Sequence, residues 1–181
     1  MLSFGRPIGS ADAPRPGPNS EQNMGNDRLT ICQISDIHCG NAYFIPELLD
    51  RTIIEINRAN PTVVVVAGDL TDAGYREEFA QAAEYIARIE CENVMVIPGN
   101  HDSRNVGYLH FERLFGERQS IMDLENAILV GVDSSEPDLN DGQVGREHYE
   151  FIGEAFSDAR DKLKHLSWRT SENTGTARVG G

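Results

Sequence analysis

The sequence predicts a layered α/β protein, and three observations carry that prediction. Residues 62–67 and 93–97 are short apolar runs with no polar face, as strands buried inside a covered sheet are. Segments with helical apolar spacing alternate with such runs, in the order β-α-β-α-β-(α)-β-β-α. No internal repeat competes with that order, and parallel strands joined by helices cross over right-handed.

Each element has its own signal. Residues 29–34 read as a strand, and Pro46 opens a helix in which Leu49, Ile53 and Ile56 share a face. Residues 62–67, with four consecutive valines, are expected in mid-sheet with helices on both sides. A helix over 77–90 aligns Phe79, Ala82, Ala83, Ile86 and Ile89, and the third buried strand is 93–97. A short helix carrying Tyr108, Phe111, Leu114 and Phe115 leads to strands at 120–124 and 127–132. The last helix is expected over 146–164, with Ile152, Ala155, Phe156, Ala159 and Leu163 on one face.

Both ends differ in character. Four of the eight prolines precede Asn19, among Gly, Ser and Asn, so residues 1–27 read as a disordered lead-in. Met24 stands just before the first ordered run and is a candidate start, with residues 1–23 an upstream extension. Past Lys164 neither period continues, so residues 165–181 read as an irregular polar tail and 28–164 as the domain. An alternating fold calls for another strand there, and without it residues 127–132 would expose an edge and promote self-association.

The 181 residues hold 16 Lys+Arg against 29 Asp+Glu, a formal charge of −13. The two ends are neutral as a pair, so residues 28–164 carry the whole excess. Such a surface repels a phosphate backbone and argues against non-specific nucleic-acid binding, yet a bound cation can reverse the potential locally. Cys32, Cys39 and Cys91 form no CxxC pair, which favours a reducing compartment and a cytoplasmic location. No membrane span is read.

Chemistry concentrates where three strands end. Ser35-Asp36-Ile37-His38 follows the first, Gly68-Asp69-Leu70-Thr71-Asp72 the second, and Pro98-Gly99-Asn100-His101-Asp102 the third. Carboxyl ends of neighbouring parallel strands converge on one edge, so these residues should share a pocket. Asp36 and His38, two apart in extended backbone, would project to one side and share an ion. Asp69 has two oxygens with which to bridge cations, Asn100 an amide oxygen and His101 an imidazole. Mixed N/O donors suit manganese, iron or zinc. Asp133-Ser134-Ser135 follows a later strand, as a substrate contact or a plain turn.

The set D-x-H, G-D-x-x-D and G-N-H-D, spaced by βα units over about residues 28–164, resembles the calcineurin-like metallophosphoesterase superfamily. Its plain GNHD looks more like the cyclic-nucleotide phosphodiesterase and DNA-repair nuclease branches than the protein phosphatases. The resemblance implies a layered metallophosphoesterase β-sheet core flanked by helices. It also implies two divalent metal ions and hydrolysis of a small phosphoester, a cyclic nucleotide among the candidates, by a metal-activated water. Asp36 and His38 would bind the first metal, Asp69 would bridge and Asn100 would bind the second. His101 would face the leaving group and Asp72 would orient it, with Asp102 as the alternative orienter.

The family pattern continues with a later His and a Gly-His-x-His, which this chain lacks. Its other histidines are His110, expected in packing, His148, expected at the surface, and His165. The fold is therefore expected to be incomplete at the C-terminal end, as after a frameshift beyond Lys164. The rival expectation is a non-catalytic fragment of the same fold that binds metal or phosphate.

Overall fold

The computed structural model describes residues 28–139, 142–157, 159 and 161–168. The expected lead-in at 1–27 and residues 169–181 of the expected tail lie outside them. The strands are β1 (Ile31–Ile34), β2 (Val63–Ala67), β3 (Val94–Ile97), β4 (Ser120–Asp123), β5 (Ala127–Val132) and β6 (Leu163–Trp168). The helices are α1 (Pro46–Ala59), α2 (Arg76–Ile86), α3 (Gly107–Phe115) and α4 (Arg146–Ser157), with a 3₁₀ turn at His101–Val106.

Local chemistry explains several boundaries. Pro46 occupies the first turn of α1, where its missing N–H costs nothing, and Asn60 closes the helix in the left-handed region at φ 44°. The Glu78 carboxylate accepts the N–H groups of Ala73 and Tyr75 ahead of α2. That helix stops at Ile86 rather than at 90, because the N–H groups of Arg88 and Ile89 turn to carbonyls three residues back.

β1, β2 and β3 form one parallel sheet in that order, and β4, β5 and β6 a second. In the second, β4 runs antiparallel to β5 and β6 runs parallel to it. β2 is buried throughout, but helices cover only one of its faces. Val64 and Val66 pack with Ile53, Ile56, Phe79 and Phe111 from the helices. Val63, Val65 and Ala67 instead meet Ala127 and Leu129 of the second sheet. The layers thus run helices, sheet, sheet, helix, with α4 packed on β5. Each buried valine contributes about 1.5–3 kcal/mol through apolar area removed from water.

The C-terminal part corrects the sequence reading. α4 ends at Ser157, whose hydroxyl donates to the Glu154 carbonyl. A turn then carries Leu163, whose N–H donates to the Asn126 carbonyl, onto β5. Residues 165–168, read as tail, belong to β6, which pairs with β5 from Ala127↔Leu163 to Val132↔Trp168. β5 is therefore an interior, fully buried strand and not the expected edge. The strand was illegible because His165 and Ser167 stand opposite Leu129 and Gly131, where an apolar alternation would have announced it.

Candidate functional site

β1, β2 and β3 are parallel neighbours, so their carboxyl ends open on one edge and the three polar motifs follow them there. The loops are joined by their own main chain. Asp36 N–H donates to Gly68 O at 3.2 Å, His38 N–H to Asp69 O at 2.9 Å and Cys39 N–H to Leu70 O at 2.9 Å. Asp36, His38 and Asp69 have φ of 59°, 50° and 53°. The extended backbone expected at 36–38 is thus replaced by left-handed turns. Strained φ of this kind is held only where surrounding bonds over-determine it.

Asp102 supplies much of that determination. Its fully buried carboxylate accepts Leu70 N–H at 3.1 Å and Gly99 N–H at 2.9 Å on Oδ2. Oδ1 accepts Thr71 N–H at 2.9 Å and the Thr71 hydroxyl at 2.7 Å. Burial pushes its pKa up to about 6, against the lowering effect of those four donors. Asp102 thus fastens the loop after β2 to the loop after β3, and Asp72 is the residue that meets His101.

The meeting is through the main chain. His101 Nδ1 lies 2.6 Å from the Asp72 carbonyl oxygen and 3.9 Å from its carboxylate Oδ1. The short contact assigns the proton to Nδ1, since a carbonyl only accepts. Arg104 Nη1 stands 3.2 Å from the same carbonyl and 3.0 Å from Nδ1, so both donors point at one oxygen. The Asp72 carboxylate instead accepts from Asn41 Nδ2 at 2.7 Å. Sequence reading missed Asn41 and Arg104. Arg104 had a signal, three residues beyond His101 and hence one turn away; Asn41 had none beyond its loop.

The donor set fits a divalent cation. Asp36, His38 and Asp69 offer ligand atoms within 4.8 Å of one another, and so do His38, Asp72 and His101. The two groups share His38, whose ring centroid is 4.6 Å from that of His101. Asn100 Oδ1 is buried without a hydrogen-bond partner, the state of an oxygen kept for a cation. Gly99 permits the close approach: a Cβ there would lie 2.3 Å from Asp69 Oδ1.

Other candidates fall elsewhere. The His110 ring packs 6.2 Å from Phe79, as expected. His148 is half-buried rather than at the surface, and its Nδ1 accepts Gly145 N–H at 3.2 Å. His165 stands on β6 opposite Leu129, its Nε2 buried without a partner. Asp133 closes its own turn onto Ser135 N–H at 2.8 Å and pairs with Arg118 at 3.0 Å, and burial raises its pKa. The Cys39 thiol is buried and pushed up to about 12, so it packs and does not react. No helix among the described residues is long and apolar enough to cross a membrane.

Layered sheets with Asp, His and Asn converging at three strand ends define a metallophosphoesterase-type α/β protein. Residues 29–175 match the calcineurin-like phosphoesterase family, and the chain belongs to it. One relative is the probable glycerophosphodiester phosphodiesterase GpdQ of Arcobacter nitrofigilis. It is 27% identical over 148 residues, covering 74% of this chain and 54% of the relative. The chain thus spans about half the length of the curated relative it matches.

Proposed function

We propose that this chain is a metal-dependent phosphoester hydrolase, acting on a small phosphodiester or phosphomonoester. The observation that carries the reading is the convergence of Asp36, His38 and Asp69 within 4.8 Å. Asp36 and His38 would hold one divalent ion and Asn100 a second, with Asp69 shared between them, and manganese, iron or zinc are the metals such donors suit. When bound, such ions neutralise phosphate oxygens and lower the pKa of a water. His101, its Nδ1–H held by the Asp72 carbonyl, presents Nε2 to the departing ester oxygen, and as the imidazolium it passes the Nε2 proton there and is left neutral with its proton on Nδ1. The relative's name supports a phosphodiester as substrate, and a cyclic nucleotide fits the same description. Three free thiols support a cytoplasmic location.

The test is hydrolysis of bis(p-nitrophenyl) phosphate by manganese-loaded protein, beside the Asp69→Asn variant. Turnover in the parent that falls at least about 100-fold in the variant supports the reading. Equal rates in both, or none above buffer, leave only a metal- or phosphate-binding domain.

A further inference from the structure

The cleft that holds Asp36, His38, Asp72 and His101 also has an apolar lining. Its volume is about 710 Å³, and Tyr43, Phe44, Ile45 and Leu48, close together in the chain, supply an apolar wall of it. Three of these are strongly exposed: Tyr43 at 88%, Leu48 at 60% and Ile45 at 51%. Single exposed apolar residues are ordinary, but several along one cleft wall beside converging polar groups mark a ligand subsite.

The wall is held in register with the polar residues. Asn41 donates from Nδ2 to Asp72 Oδ1 at 2.7 Å, and its own Oδ1 accepts the Tyr43 N–H at 2.8 Å. Its carbonyl accepts the Phe44 N–H at 3.0 Å. One asparagine therefore ties the aromatic pair to the residue that anchors His101. No Lys or Arg is among the described residues lining this cleft, so a second anionic group on a substrate meets no Lys or Arg side chain there to pair with its charge.

We infer that the cleft selects a phosphoester with a single phosphate and an uncharged aromatic or bulky apolar ester group, with Tyr43 and Leu48 determining that specificity. The phosphate lies at Asp36 and His38 and the apolar group lies along the wall. This rests on the hydrolase reading above. It disfavours polyanionic substrates such as nucleic-acid strands, which a chain of formal charge −13 also repels.

The experiment uses the full chain with manganese and three p-nitrophenyl diesters whose second ester group is methyl, phenyl or 2-carboxyethyl. The leaving group is constant, so differences in kcat/KM report the second group. Phenyl should exceed methyl about 10-fold, through KM, and carboxyethyl should fall below methyl. Tyr43→Ser and Leu48→Ser should each bring the phenyl-to-methyl ratio most of the way to one. Calorimetry with phenylphosphonate and methylphosphonate gives the same comparison without turnover. Turnover with no phenyl preference overturns the inference and leaves the hydrolase reading intact. Phenyl-selective binding that Tyr43→Ser abolishes, without turnover, supports the inference and removes the hydrolase reading. Neither turnover nor selective binding overturns both. A dimer at assay concentration that Leu48→Ser dissolves also overturns the inference, since a second copy then covers the wall.

Discussion

Gly99→Ala separates the proposed metal site from mere loop packing. A methyl at position 99 would lie 2.3 Å from Asp69 Oδ1 and 2.5 Å from Asp69 N, where ordinary contact begins at 3.4 Å. The carboxylate must therefore retreat by about 1.1 Å. A ligand is useful only within about 0.2 Å of its bond length, so Asp69 can no longer bind as built. Manganese affinity measured by calorimetry should fall at least about 10–100-fold, or about 1.4–2.8 kcal/mol. Gly131→Ala is the control. There the methyl would lie 2.4 Å from Ile97 Cγ2, between the two sheets and against apolar side chains, not against a carboxylate. Both variants should lose about 1–3 kcal/mol in urea unfolding through overpacking, but only Gly99→Ala should lose manganese. A folded Gly99→Ala protein that binds manganese like the parent refutes the ligand role of Asp69. Equal loss of manganese in Gly131→Ala refutes the local argument.

Two further outcomes follow from buried polar groups. Asp102 has its pKa raised from 3.8 to about 6, so its stabilising contribution is complete below about 3.8 and is lost as pH rises through about 6. In chelator, unfolding free energy should carry a falling component of up to about 3 kcal/mol across that window, and Asp102→Asn should remove it; an unchanged profile in the variant contradicts the assignment. Ser167 has a buried hydroxyl without a partner between the sheets, so Ser167→Ala should raise stability by about 1 kcal/mol in urea titration. A loss of stability in that variant shows that the hydroxyl is bonded after all.

Legibility in the sequence followed the physics of each element. β2 and β3 were readable because unbroken apolar runs have few homes other than a covered sheet. The helices were readable from their period, and α2 overran only where its last turn tightened. β6 was not, since its inward positions include His165 and Ser167, and its partner strand supplies what its own pattern lacks. Among the site residues, Asp36, His38, Asp69, Asn100 and His101 were named from motif and strand end. Asn41 was not, because its bond to Asp72 crosses between loops, and Arg104 was overlooked although it stands one turn beyond His101.

By itself, the sequence determined that carboxylate, imidazole and amide groups follow three strands and that those strand ends would bring them together, since parallel neighbours share an edge. Tertiary structure decided how. It put a second sheet where a helix layer was expected, turned Asp36 and His38 through left-handed backbone, and gave the His101 contact to the Asp72 carbonyl. It also committed Asp102 to fastening two loops. Those outcomes depend on which donors and acceptors meet across more than 25 residues of chain, and a linear pattern records residue types, not the partners that packing assigns to them.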